Sequence, residues 1–170
     1  MREILFRGFT PDENGRETIT VKGKQIKGEW VQGSYWELRK TTYCFQSDYD
    51  RHPDNTEHYI VFDRMTDWGL PNRHMQADVI PETVGQFTGK TDKNGKKVFE
   101  HDILQTFTVW ADGTKEKAGI GVVQWWENDQ CYVLTTKEGY HIDDFGNLGR
   151  PEYYEVIGNI HDNPELVNEK

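Results

Sequence analysis

Three histidines of the C-terminal half stand beside carboxylates. His101 precedes Asp102, His141 lies close to Asp143 and Asp144, and His161 precedes Asp162. Imidazole with Asp or Glu is the ligand set of a hard or borderline metal site, and such a site can run a metal-assisted hydrolysis. That chemistry needs the side chains to converge. His101 and Asp102 open a strand-like run, where neighbours point to opposite faces. "YHIDDFGN" (140–147) reads as a solvated acidic loop, and "NIHDNPEL" reads as the capping of a terminal turn. His101, Asp102, His141, Asp143, Asp144 and His161 are therefore metal-site candidates only. No catalytic residue is assigned and no cofactor is implied. Ser34 and Ser47 sit outside any G-x-S-x-G elbow, so nucleophilic catalysis has little support.

A second stretch, "GQFTGKTDKNGKK" (85–97), resembles two ligand loops at once. A phosphate-binding loop needs four residues between its glycines and a helix after its lysine. Here three residues separate Gly85 from Gly89, and a turn and a strand follow Lys90. A calcium loop with Gly95 at its sixth position would put Lys90 at the first and His101 at the twelfth, where carboxylates are required. The remaining reading is a hairpin. Asn94-Gly95 suits a type I′ turn, with Lys90, Lys93, Lys96 and Lys97 in solvent around its tip.

The aromatic residues offer binding rather than catalysis. The chain has six Trp, eight Tyr and eight Phe, with an aromatic content of 13% and an apolar content of only 35%. Trp125-Trp126 and Tyr153-Tyr154 are adjacent pairs in strand-like runs, so one ring of each is expected outside. Trp36, Trp125, Trp126, Tyr153 and Tyr154 are the candidate binding residues. They suit a protein partner, where Trp and Tyr anchor contacts, or a stacking platform for bases.

Charge weighs against the second use. The chain carries a net charge of −9, and residues 118–170 hold only Lys137, Arg150 and Lys170 as cations. Such a surface repels a phosphate backbone. Cys44 and Cys131 lie in apolar-aromatic runs and are expected to be core thiols in a reducing cytosol. "MREILFRGF" lacks a signal-peptide apolar run, and no segment approaches the ~18 apolar residues of a membrane span.

The elements that must position these residues are strands. Runs at 3–9, 17–21, 28–38, 41–47, 57–63, 96–110, 117–129, 130–137 and 152–162 are rich in β-branched and aromatic residues and are broken by Gly, Asn and Asp. The polar segment 48–56 and the segment 65–77 read as connections. Pro81 marks an edge or a bend. "ENDQ" (127–130) reads as a hairpin turn, and Pro164 after Asp162-Asn163 starts a short helical turn. The expected fold is mainly β, with two small packed subdomains, 1–78 and 79–170, or one composite domain. The second has the rhythm of an SH3-like or OB-like barrel.

"VIPETVGQFTGKTDKNGKKVFEHDIL" (79–104) followed by "EVIGNIHDNPEL" (155–166) resembles the YopX-like family of phage and prophage proteins, and the opening "MREILFRGF" is similar to that family's start. The family's usual Glu-Gly-Asp is Glu100-His101-Asp102 here. The resemblance implies a phage or prophage origin, a mostly β fold and no established enzymatic activity. The expectation is thus a non-enzymatic interaction protein of the bacterial host cytoplasm. Its partner would be a host or phage protein or a second copy of itself, with no membrane. The alternatives are a nucleic-acid-binding small barrel and, behind it, a metal-dependent hydrolase using the His/Asp clusters.

Overall fold

Strand-forming runs of Val, Ile, Thr and aromatic residues build nearly all of the regular structure. In this computed structural model residues 3–39, 43–51, 56–66, 68–136, 141–144 and 150–167 are described, with the backbone alone for 141–144. The strands are β1 (Phe6–Pro11), β2 (Glu17–Val21), β3 (Lys24–Arg39), β4 (Thr56–Met65), β5 (Pro71–Asp78), β6 (Gly85–Thr91), β7 (Lys97–Phe99), β8 (Asp102–Val109), β9 (Lys115–Trp126), β10 (Cys131–Thr135), β11 (His141–Asp144) and β12 (Tyr154–Asn159). Among the described residues the helical elements are a short helix, α1 (Gln46–Arg51), and 3-10 turns at Pro81–Thr83, Pro151–Tyr153 and Pro164–Val167. Each of those turns begins on proline, whose fixed φ suits a first helical position. The protein is mainly β, with antiparallel pairing throughout the registers that follow.

Two compact units divide the chain. The first comprises Leu5–Glu17 and Lys27–Val84; the second comprises Met1–Ile4, Thr18–Ile26 and Gly85–Lys170. A single cut between residues 78 and 79 does not describe this interleaving, because residues 18–26 leave the N-terminal half to join the second unit.

In the first unit β3 pairs with β1 on one side and β4 on the other, and β4 pairs with β5. The directly opposed residues Tyr35, Ile60 and Ala77 lie on one face. That face packs with Phe6, Val31, Phe62, Val79 and Val84 into a core. Thr83 of the Pro81 turn locks this core from below: its hydroxyl accepts the Phe9 N–H at 2.9 Å, and the Ile80 N–H reaches the Phe9 carbonyl. Pro81 thus makes the bend expected of it.

The second unit holds a five-stranded sheet in the order β11-β10-β9-β8-β12, with the β6–β7 hairpin beside it. Its core is Val98, Leu104, Val123, Tyr132, Leu134, Tyr154 and Val156. The β2–β3 hairpin turns on Lys22-Gly23, with φ 49 and 77. Two positive φ values in a two-residue loop are the signature of a type I′ turn. The Thr20 N–H then bonds the His161 carbonyl at 3.0 Å, tying the hairpin to the end of β12.

Several sequence expectations need correction. Segment 65–77 is not a connection. It closes a turn from Thr66 to Leu70 and continues as strand β5, whose polar composition is that of an edge and whose Pro71 occupies the first position that a strand tolerates. The run 41–47 and the polar segment after it contain helix α1 instead of strand and loop. Local side-chain pairs support it: Gln46 donates to Asp50 at 3.1 Å, and Arg51 pairs with Asp48 at 3.5 Å. Residues 41–42 and 52–55 of those stretches lie outside the described residues. Cys44 is exposed in the bend before α1 and is not a core thiol, while Cys131 is half-buried at the start of β10.

Candidate interaction surface

The hairpin of residues 85–97 is strand, turn and strand, but the turn is not type I′. The Gly95 N–H bonds the Asp92 carbonyl and the Asp92 N–H bonds the Lys96 carbonyl, and Gly95 (φ 79) is the residue there with positive φ. This is the three-residue loop in which a type I turn is followed by a left-handed glycine. The Trp110–Thr114 loop closes the same way, with Gly113 at φ 85.

The tip residues Lys93 to Lys96 are exposed as expected, but the hairpin is anchored beneath them. Asp92 is buried beneath the tip. Its Oδ1 accepts the N–H groups of Asn94 (2.8 Å) and Lys96 (2.9 Å), and its Oδ2 accepts the Val156 N–H from β12 at 3.0 Å. Burial raises the pKa of this carboxyl, but the three N–H bonds and the charge of Lys96 outweigh it and hold the group below its usual range. Lys93 pairs with Glu155 at 2.7 Å and lies over the Phe107 ring, and Lys97 pairs with Glu3 and lies over Phe87. Of the lysines expected in solvent around the tip, Lys93 and Lys96 are exposed and Lys90 and Lys97 are half-buried, and Lys93 and Lys97 also anchor the hairpin through these pairs. Lys90 is partly buried, which lowers its pKa.

The metal candidates come together only in part. His101 and His161 meet edge to face, with ring centroids 5.5 Å apart. Asp102 is buried and opposes Asn159 in the β8–β12 register. Its Oδ2 accepts the Phe99 N–H at 2.8 Å, so it caps the turn joining β7 to β8. Asn159 organises the other side. Its Oδ1 accepts the N–H groups of His161 and Asp162, and its amide donates to Asp162 Oδ2 at 2.5 Å. The carboxylates near the two rings are therefore engaged in turn construction. His141, Asp143 and Asp144 lie on β11, opposite Thr135 and Leu134–Val133 of β10. Two strands separate β11 from β8, which at ~4.8 Å per strand puts their backbones roughly 14 Å apart. Among the described residues no group of three or more His, Cys, Asp or Glu side chains is placed to hold a metal ion.

His101 answers the question raised by its family position. Its φ is 71, the left-handed region that glycine would enter freely, and its N–H and carbonyl bond Val123 and Ile160. The backbone conformation is kept although the side chain is not glycine. Two substitutions separate strain from ring contact, since both remove the imidazole. His101→Gly is expected to be about 1 kcal/mol more stable than His101→Ala in urea unfolding, because only Ala retains the Cβ clash. Equal stabilities would show that the left-handed backbone is unstrained.

The aromatic candidates sort by exposure. Tyr154 is 1% exposed and belongs to the core of the second unit, so its ring offers no binding surface. Tyr153 is not in the strand; it sits in the 3-10 turn and packs against that same core. Trp125 is 44% exposed and leans edge-on against Tyr132, while Trp126 is half-buried. Trp36 is 55% exposed on β3.

Sequence reasoning missed the other exposed apolar residues of this unit. In the first unit Leu38, Phe45, Met65, Trp68 and Leu70 are also exposed, Trp68 at 91%. Met65, Trp68 and Leu70 cluster at the β4–β5 hairpin end, which the Thr66–Leu70 bonds close. Large apolar residues in a "connection" are the signal that could have found them. An open cleft of about 360 Å³ in the same unit is lined by Asp12, Asn14, Arg16, Glu17, Glu29 and Trp30. Its carboxylates already serve the fold: Asp12 accepts the Asn14 N–H, Glu17 the Trp30 N–H, and Glu29 pairs with Arg64.

Among solved structures, the crystal structure of protein EF1440 from Enterococcus faecalis is similar at 20% identity, covering 98% of this chain and 99% of that one, with a TM-score of 0.35. No curated protein matches. The family model described as YopX protein matches residues 22–168, which takes in the segment 22–78 that the sequence resemblance left aside. This chain belongs to the YopX family.

Proposed function

We propose that this protein is a non-enzymatic protein-interaction module, encoded by a phage or prophage and acting in the cytoplasm of the bacterial host. The observation that carries the reading is the apolar surface of the first unit: Trp36, Leu38, Phe45, Met65, Trp68 and Leu70 all stand exposed. Trp36 and Leu38 stand two residues apart on one face of β3, and Met65, Trp68 and Leu70 gather at the β4–β5 turn; exposed aromatic and aliphatic groups grouped in this way suit a surface that a partner covers. The net charge of −9 favours a protein partner over a nucleic acid. The phage origin rests on the sequence resemblance. Among the described residues no helix is long and apolar enough to cross a membrane. The partner is a host or phage protein or a second copy of the chain.

Site-specific photo-crosslinking tests this reading. A photoreactive amino acid at position 36 or 68, introduced in the bacterial host, is expected to give discrete crosslinked species. The same group at Glu13, an exposed polar position, is expected to give none. Uncrosslinked monomer at both 36 and 68 would sink the interaction reading.

A further inference from the structure

The outer face of the β3–β4–β5 ladder has a chemistry of its own. Its residues follow from the register. Trp36 opposes Tyr59, which opposes Asp78; Leu38 opposes Glu57; Ser34 opposes Val61, which opposes Gln76. The alternate residues Tyr35, Ile60 and Ala77 point into the core, so this set faces outward. Trp36 and Leu38, two residues apart on β3, are 55% and 47% exposed. None of the eight side chains of this face is basic, and two are carboxylates.

One of the carboxylates is tied to the aromatic pair by a hydrogen bond. The Tyr59 hydroxyl donates to Glu57 Oε2. That bond first, then burial and the negative charges of Glu57 and Asp78, push the phenol up to about 12. The face is two aromatic rings and a leucine flanked by two carboxylates.

We propose that this face docks a basic segment of a partner protein, an Arg or Lys flanked by apolar residues. The cation lies over the Trp36–Tyr59 rings between Glu57 and Asp78, and an apolar neighbour covers Leu38. Charge complementarity selects this occupant. A guanidinium gains from an aromatic face and from a carboxylate at once, whereas an acidic segment or a phosphate backbone meets uncompensated repulsion. The net charge of −9 steers the same class of partner. The proposal rests on the interaction-module reading and names the chemistry of its partner.

Fluorescence anisotropy on the full chain tests it, with two labelled 12-residue peptides that alternate Leu with Arg or Leu with Glu. The Arg peptide is expected to saturate at low salt and to weaken at least tenfold in 0.5 M salt, and the Glu peptide to show no binding. Trp36→Ala and Leu38→Asp, both at exposed positions that leave the core intact, are each expected to weaken the Arg peptide about tenfold. The double variant Glu57→Gln/Asp78→Asn is expected to remove most of the salt dependence, and Trp125→Ala in the other unit to change nothing. Equal binding of the two peptides, no binding of either, or indifference to the Trp36 and Leu38 variants overturns the proposal. So does a labelled single-stranded oligonucleotide that binds this face in place of the Arg peptide. Crosslinks at position 36 without Arg-peptide binding would reject this partner chemistry and leave the interaction reading standing; absent crosslinks would reject that reading itself.

Discussion

Asp92→Ala is expected to cost about 4 kcal/mol of unfolding free energy at pH 7, a large share of the ~5–15 kcal/mol that holds a domain together. The carboxylate is buried and accepts three backbone N–H groups, two within its own hairpin and one on Val156 of β12. Alanine leaves those donors buried beside an apolar methyl, and an unsatisfied buried donor costs about 1–3 kcal/mol. Asp92→Asn keeps the shape but turns an amide NH2 toward one of the donors, and is expected to lose about 2 kcal/mol. The pH dependence follows from the lowered pKa of this group in the folded state. Its stabilisation is fully present above the unfolded carboxyl value, about 4, and is lost as pH falls through the folded value. Urea unfolding at pH 7 and pH 3 is therefore expected to show a smaller acid loss for Asp92→Asn than for the parent. A Asp92→Ala penalty under 1 kcal/mol would show that the hairpin tip is not anchored as the geometry indicates.

Gly28→Ala is expected to be nearly as damaging in the first unit. A Cβ at residue 28 would lie 2.0 Å from the Thr10 carbonyl oxygen and 2.5 Å from the Phe9 ring. The oxygen is backbone in the paired strand β1, where Pro11 opposes Gly28, so it cannot rotate away. Relief requires β1 to peel from β3 or the Phe9 ring to leave a fully buried site beside Trp30. Overpacking of this kind costs about 3 kcal/mol, which for a chain of this size lowers the midpoint by roughly 10 °C. Gly119→Ala is the matched control. Its Cβ would meet nothing nearer than the Thr106 hydroxyl oxygen at 3.8 Å, and a change within about 0.5 kcal/mol is expected. Thermal unfolding of the two variants side by side checks the pair; equal midpoints would contradict the close approach of β1 to β3.

Legibility varied with how local each feature's cause was. Strand β2 begins and ends where its Thr-apolar alternation does, and the turn at Pro164–Val167 starts on the proline that marked it. The "ENDQ" turn and the bend at Pro81 are likewise set by a few adjacent residues. Strand β5 was hidden because an edge strand with one solvent-facing side carries the polar residues of a loop. Helix α1 was hidden because six residues give no period to read, and it stands on two side-chain pairs and the Tyr43–Tyr49 ring contact. At Asn94-Gly95 the dipeptide was read correctly as a turn and wrongly as to type. The number of residues between paired strands decides the type, and here Asp92 and Lys96 close the ladder around three residues.

By itself, then, the sequence determined the mainly β character, several of the places where the chain turns, and the family, through motifs whose residues build those turns. The tertiary structure decided the rest. It brought His101 onto His161 while committing Asp102 and Asp162 to turn hydrogen bonds, buried Tyr154, and fixed the hairpin tip to Val156 and Glu155, some sixty residues away. It also turned Trp36, Leu38, Glu57 and Asp78 to one face. Period two says that a strand has two faces; only the register with its neighbours and the core on one side say which face meets solvent and which side chains share it.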